Sequence, residues 1–265
     1  MITVNGKEIN QGHFPDGTLA LKMEDISNAG FITIRWLYEN DSELFTLMCL
    51  KDYLDRLYRY CSVDLFMPYL PHARMDRVKN REDVFTLKTF CNAINAMKFN
   101  NVIVRDVHSN VSLALLENVI DENVAGWIDT AAENCGAEVL FYPDEGAMKR
   151  YSDRAKAPYA FGIKKRDWET GKILGLELMH SDLVKGKDIL IVDDICSRGG
   201  TFYHSAKALK EAGANKIYLY VSHLETTVFD GELLNSGLIE KIYTTNSIFP
   251  KDKQSDMIEI LGMDY

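Results

Sequence analysis
Strand-like and helix-like stretches alternate from one end of this 265-residue chain to the other, and that alternation most restricts what it can fold into. Residues 31–37 form a β-rich run, followed by an amphipathic stretch with Leu44, Leu47, Leu54, Leu57 and Cys61 on one stripe. The pattern then predicts a strand over 63–68 and a helix over 82–98, with Leu87, Phe90, Cys91, Ile94 and Met97 on one face. A buried-type strand over 101–106 ends in the polar loop 106–110. The same grammar returns in the second half. A helix near 123–134 leads to a strand over 138–142, and Pro143 and Gly146 mark a turn. Strands over 159–164 and 172–178 bracket a charged loop. The strand over 188–192, apolar from Ile189 to Val192, has the character of one buried on both faces. A helix over 200–212 carries Phe202, Ala206 and Leu209 on one face and ends at Gly213. Strands over 217–221 and 239–244 follow. Such alternation implies an α/β chain with parallel sheets, whose ligands sit at the carboxyl ends of strands. The repeat predicts two domains, 1–118 and 119–265, with the tail after 249 packing back on the first.

Charge and composition narrow the function. With 30 Lys and Arg against 39 Asp and Glu, the net charge of −9 argues against a nucleic-acid binder, which needs a basic surface. A few concentrated basic clusters on an acidic chain suit a small phosphorylated ligand instead. No stretch approaches the roughly 20 apolar residues of a membrane helix, so no membrane partner is expected. The first seven residues read as a strand entering a turn and lack the features of a signal peptide. Cys49, Cys61, Cys91, Cys135 and Cys196 are odd in number and scattered, which predicts reduced thiols and a cytoplasmic protein.

The most informative segment is 192–201, Val-Asp-Asp-Ile-Cys-Ser-Arg-Gly-Gly-Thr. An apolar strand runs into Asp193 and Asp194, whose ionised carboxylates accept hydrogen bonds from vicinal hydroxyls. Gly199 and Gly200 let the backbone approach a phosphate, and the helix start supplies N–H groups and a favourable dipole. Ser197, Arg198 and Thr201 add donors. The alternative is an acidic surface turn before a capped helix.

This segment resembles the phosphoribosyl-pyrophosphate motif of type I phosphoribosyltransferases and ribose-phosphate pyrophosphokinases, although Ser197 and Arg198 stand where the latter usually carry a further acidic residue or Thr. The first half resembles the pyrophosphokinases specifically. Residues 68–77, Pro-Tyr-Leu-Pro-His-Ala-Arg-Met-Asp-Arg, are similar to their ATP-binding segment, with Met75 in place of the usual Gln. By that resemblance Arg74, Asp76 and Arg77 bind ATP, and paired arginines also suit phosphate chemically. Asp106-Val107-His108 matches the family's Asp-x-His, which implies Mg²⁺ near Asp106 and His108. Phe14 and Asp16 lie in a turn resembling one that reaches a neighbour's adenine, with Thr18 replacing Glu, and this implies a homo-oligomer with a shared adenine site. Lys164 and Arg166 match a catalytic Lys-x-Arg at the base of a closing loop. The loop beginning at Pro143 resembles one lining the ribose and diphosphate region, which assigns Asp144 to ribose or to a second metal, with Lys149 and Arg150 near phosphate. Ser222-His223 and 243–246 resemble further family segments. The resemblance implies two tandem phosphoribosyltransferase-like domains, each a mainly parallel sheet flanked by helices. The first would bind the nucleotide and the second the ribose phosphate. It implies transfer of the diphosphate of ATP to C1 of ribose 5-phosphate. A type I phosphoribosyltransferase and a non-catalytic regulatory relative are the alternatives.

Overall fold
Six strands of the first half and seven of the second assemble into separate sheets. The computed structural model describes residues 1–26, 30–153, 157–166, 173–250, 252–253 and 255–262, and for 164–166 and 173–175 the backbone alone. The chain divides into two compact units, Met1–Glu122 and Asn123–Asp264.

In the first unit β1 (Ile2–Val4) and β2 (Lys7–Glu8) form an antiparallel edge beside the parallel strands β5 (Phe31–Trp36), β6 (Ser62–Phe66), β7 (Val102–Arg105) and β8 (Val119–Glu122). A separate hairpin joins β3 (Gln11–His13) to β4 (Leu19–Leu21). The helices α1 (Ser42–Leu57), α2 (Thr86–Ala96) and α3 (Asn110–Leu115) pack on one core. Ile32, Ile34 and Trp36 alternate into it from β5 and meet Leu47, Leu50 and Leu54 from α1 and Leu87, Phe90 and Ile94 from α2. Each such burial stabilises the unit by about 1.5–3 kcal/mol before chain entropy is counted.

Two expectations change here. The α1 stripe is Leu47, Leu50 and Leu54; Leu57 is 52% exposed, and Cys61 lies beyond the helix end. Helix α2 begins at Thr86 rather than 82, because the Asp83 carboxylate accepts the Lys79 and Asn80 amides and closes a turn that competes with helix.

The second unit orders its strands β11-β10-β9-β12-β13-β14-β15. These are β9 (Val139–Tyr142), β10 (Tyr159–Arg166), β11 (Ile173–Met179), β12 (Ile189–Cys196), β13 (Ile217–Leu224), β14 (Lys241–Thr244) and β15 (Ile258–Ile260), and all pairs are parallel except β10 with β11. The apolar run of β12 explains its central place. Ile189 and Ile191 enter the core shared with α6 (Gly200–Glu211), while Leu190 and Val192 enter the one shared with α4 (Ala125–Cys135) and α5 (Glu145–Tyr151).

The turn expected at 143–146 is instead the start of α5. Asp144 caps it by accepting the Ala147 amide at 3.0 Å, and Glu145 at its start and Lys149 and Arg150 at its end complement the helix dipole. Strand β12 continues past Val192 to Cys196, because its ladder with β13 runs on to Leu224. In the tail after 249, Ile258–Ile260 pairs with β14. All five cysteines are free. Among the described residues no helix is long and apolar enough to cross a membrane.

Candidate active site
In the first unit the polar loops follow the carboxyl ends of β6 and β7. They are tied at their roots, where Arg105 N donates to Pro68 O at 3.0 Å and Met67 N to Ile103 O at 2.8 Å. His72 adopts a left-handed backbone (φ 64°), Met75 N donates to its carbonyl, and its ring stands 5.3 Å from that of Phe90. These contacts shape the turn that presents Arg74 at the surface. Arg77 grips Asp76 through Nε and Nη2 at 2.6 and 2.7 Å, and Ser109 Oγ donates to the same carboxylate at 2.6 Å. The Arg77 bonds, aided by Ser109 and a positive field from His108 and opposed by burial, hold this carboxyl at about 2. Asp76, expected to touch ATP, thus has both oxygens engaged within the protein. It links the arginine loop to the His108 loop, since Ser109 also caps α3 at Val111 N.

Asp106, with φ 48°, is only 1% exposed, while His108 two residues on is at the surface. At the hairpin tip Phe14 is 58% exposed. Asp16 accepts both the amide and the hydroxyl of Thr18, and those bonds lower its pKa. Beneath the two loops lies a row that the sequence reading did not single out. Arg35 stands 4.7 Å over the Phe66 ring, and Arg105 approaches that ring at 5.7 Å while pairing with Glu122 at 2.6 Å. An arginine within a β-branched strand run was the only available signal.

In the second unit Asp193 and Asp194 stand near the carboxyl end of β12. Asp194 N donates to Asp193 Oδ1 at 3.0 Å, and Arg150 Nη1 lies 3.2 Å from Asp194 Oδ1. Asp194 is 3% exposed. Asp193 has its pKa pushed well up, first by loss of hydration, then by the adjacent Asp194 charge, with a smaller part from Asp144. The fold therefore brings Asp144, Arg150, Asp193 and Asp194 together.

The phosphate-type loop follows. Gly199 has φ 79°, and a Cβ there would lie 2.8 Å from Leu233, so a side chain is excluded by both conformation and space. At Gly200, the first residue of α6, a Cβ would meet nothing within 4 Å, which leaves the helix start open to an anion. Arg198, Gly200 and Thr201 are exposed, and Ser197 Oγ bonds Thr227 Oγ1 at 3.0 Å. Behind the loop, a Cβ on Gly231 would fall 1.9 Å from the Arg198 carbonyl oxygen. A buried polar group braces the adjoining strand ends, with His223 Nδ1 2.7 Å from Ser247 Oγ, and Thr245 Oγ1 and Ser247 Oγ both donating to Ser222 O. Lys164 and Arg166 lie on β10 opposite Leu176 and Ile173, with a register shift between Lys165 and Arg166. Their side chains lie outside the described residues.

Among the described residues no group of three or more His, Cys, Asp and Glu could enclose a metal. Oxygen donors that come singly or in pairs, such as Asp144 beside Asp193, nevertheless fit magnesium, which keeps waters and takes one or two carboxylates with substrate phosphates.

Two mainly parallel sheets flanked by helices, with polar loops at their carboxyl ends, define an α/β fold shared with a solved phosphoribosylpyrophosphate synthetase from Mycobacterium smegmatis. The match has a TM-score of 0.75 at 18% identity and covers 96% of this chain and 85% of that one. The profile described as phosphoribosyl synthetase-associated domain matches residues 178–264. Ribose-phosphate pyrophosphokinase from Listeria ivanovii is 30% identical over 95% of this chain and 81% of its own. That from Sulfurisphaera tokodaii is 29% identical over 95% and 88%. The chain belongs to the ribose-phosphate pyrophosphokinase family and is an enzyme of phosphoribosyl pyrophosphate synthesis.

Proposed function
We propose that this enzyme transfers the diphosphate of ATP to C1 of ribose 5-phosphate, giving 5-phosphoribosyl 1-diphosphate and AMP. The observation that carries this reading is the β12–α6 junction. There two carboxylates stand beside a helix start whose first residue is open, a pairing suited to a ligand with vicinal hydroxyls at one end and a phosphate at the other.

The 5-phosphate sits on the backbone and side chains of Ser197, Arg198, Gly199, Gly200 and Thr201. The ribose hydroxyls donate to Asp193 and Asp194, with Asp144 alongside. Arg150 Nη1, 3.2 Å from Asp194 Oδ1, gives this carboxylate a positive partner. In the first unit Arg74, Arg77 and His108 take the ATP phosphates, and Asp76 acts by fixing the Arg77 guanidinium. The C1 hydroxyl oxygen bonds to the β-phosphorus as the bond from that phosphorus to the α–β bridging oxygen breaks. AMP leaves with the electron pair, and the hydroxyl proton passes to solvent. Lys164 and Arg166 stabilise the charge spread over the transferring phosphoryl oxygens. Asp106 and His108 would hold one Mg²⁺ and Asp144 a second. Bound there, magnesium would neutralise polyphosphate charge. Phe14 and Asp16, at the exposed hairpin tip, serve the adenine of a neighbouring copy, so the working form is a homo-oligomer. The free thiols accord with a cytoplasmic enzyme.

The test is to incubate the protein with Mg-ATP and ribose 5-phosphate and identify the nucleotide formed. AMP supports the reading. ADP, or no turnover, overturns it.

A further inference from the structure
Among the described residues, Arg35 is a charge that the first unit holds without a protein counter-charge. Its Nη1 is shut off from solvent with no hydrogen-bond partner, and among the described residues no carboxylate pairs with its guanidinium. The acidic groups on neighbouring strands are engaged elsewhere: Asp64 accepts Asn101, and Glu122 pairs with Arg105. What Arg35 does have is a platform, the Phe66 ring 4.7 Å below it. A guanidinium stacked in this way is held in plane, the arrangement from which a forked contact to phosphate oxygens is made.

The position points to a ligand. Arg35 is the penultimate residue of β5, at the carboxyl edge where parallel sheets bind ligands. It is in register with Phe66, the last residue of β6, and Met67 and Pro68 open the arginine loop immediately afterwards. Arg105, on the same ring, is the last residue before the Asp106–His108 loop. Arg35 thus lies at the root of both loops assigned to the nucleotide. Keeping a partly buried, unpaired charge costs stability, and an apolar residue of similar length would not carry that cost.

We propose that Arg35 is an anion-binding residue of the first unit and that its anion is a phosphate group of the nucleotide substrate, an assignment that rests on the nucleotide reading of the loops at 68–77 and 106–109. The stability cost then has a function, because the bound phosphate supplies the missing partner.

The experiment compares the full chain with Arg35→Met and Arg35→Lys, measuring melting temperature, steady-state kinetics and the thermal shift given by inorganic triphosphate. Arg35→Met should melt at or above the wild-type temperature. Its KM for Mg-ATP should rise on the order of tenfold, the loss of one charged contact, while its KM for ribose 5-phosphate stays within about twofold. Arg35→Lys, which keeps the charge but not the fork, should fall between, and triphosphate should shift the wild type more than Arg35→Met. A lower melting temperature with an unchanged KM for Mg-ATP in both variants would make Arg35 a packing residue and sink the proposal. So would a larger effect on ribose 5-phosphate than on ATP. Should the wild type form no AMP, the proposed reaction falls; a triphosphate shift confined to the wild type would still uphold the anion site.

Discussion

Asp76→Asn removes one negative charge from the point where the 68–77 and 106–109 loops, proposed to hold the nucleotide, meet. The carboxylate accepts two bonds from Arg77 and one from Ser109, all between 2.6 and 2.7 Å. An asparagine oxygen cannot serve both partners equally. In the folded protein the carboxyl pKa falls from 3.8 to about 2, chiefly through Arg77. A depression of that size corresponds to about 2 kcal/mol for a fully shielded pair. The Arg77 side chain is 62% exposed, however, so solvent screening brings the expected loss on Asp76→Asn nearer to about 1 kcal/mol. The sign follows from linkage. A depressed folded-state pKa gives stability that is present above the unfolded value near 3.8 and is lost as pH falls towards about 2. The wild type should therefore melt above Asp76→Asn at pH 7, and the gap should narrow from about pH 4 downward. Because Arg77 also loses its orientation, the KM for Mg-ATP should rise several-fold with little change in the KM for ribose 5-phosphate. A gap that persists undiminished at the lowest pH still permitting folding would refute the electrostatic argument. A variant with unaltered KM for ATP would refute the positioning role.

Three further outcomes are expected. Asp193→Asn should weaken ribose 5-phosphate binding far more than ATP binding while raising the melting temperature, since it relieves a crowded carboxylate pair; equal losses for both substrates would contradict the assignment. Lys164→Ala or Arg166→Ala should lower kcat on the order of 10²-fold with ground-state binding nearly intact. Lys165→Ala should lose little, and if it proves the most damaging the Lys-x-Arg register is off by one. Gly199→Ala should destabilise by about 1–3 kcal/mol and weaken ribose 5-phosphate binding, because φ 79° and Leu233 both oppose a side chain. Adding Leu233→Ala should recover only the steric part, and full recovery would show that the backbone conformation carries no strain.

The parts of this molecule legible in the sequence are those decided locally. The runs at 31–37 and 188–192 become β5 and β12, because a mostly apolar stretch rich in β-branched residues has few other places to go. Asp193, Asp194 and Gly199 could be singled out because a strand end and a helix start are written in consecutive residues, and they do stand on β12 and at the N-cap of α6. What was missed depends on distant partners. Helix α5 looked like a turn because Pro143 and Gly146 dominate its composition, and only the Asp144 bond to Ala147 reveals it as a capped start. Strand β12 seemed to stop at its first aspartate, although its ladder partner β13 continues. Three residues at 258–260 are a strand only because β14 offers a free edge. The pairing of Arg150 with Asp194 and, among the described residues, the lack of a hydrogen-bond partner for Arg35 Nη1 are likewise tertiary facts with no local trace.

The contact behind the phosphate-type loop limits how this enzyme can be altered. Gly231 and the Arg198 carbonyl are separated by less than the thickness of a methyl group. Thr227 reaches Ser197 from the same stretch, and Leu233 fills the space beside Gly199. Residues 197–200 and 227–233 therefore behave as one casting rather than two loops. An engineer who lengthens the first must rebuild the second in the same step. A chance insertion in either would displace the other. Loops at carboxyl strand ends are usually the freely editable part of an α/β enzyme. Here the cradle itself can be edited only as a matched pair.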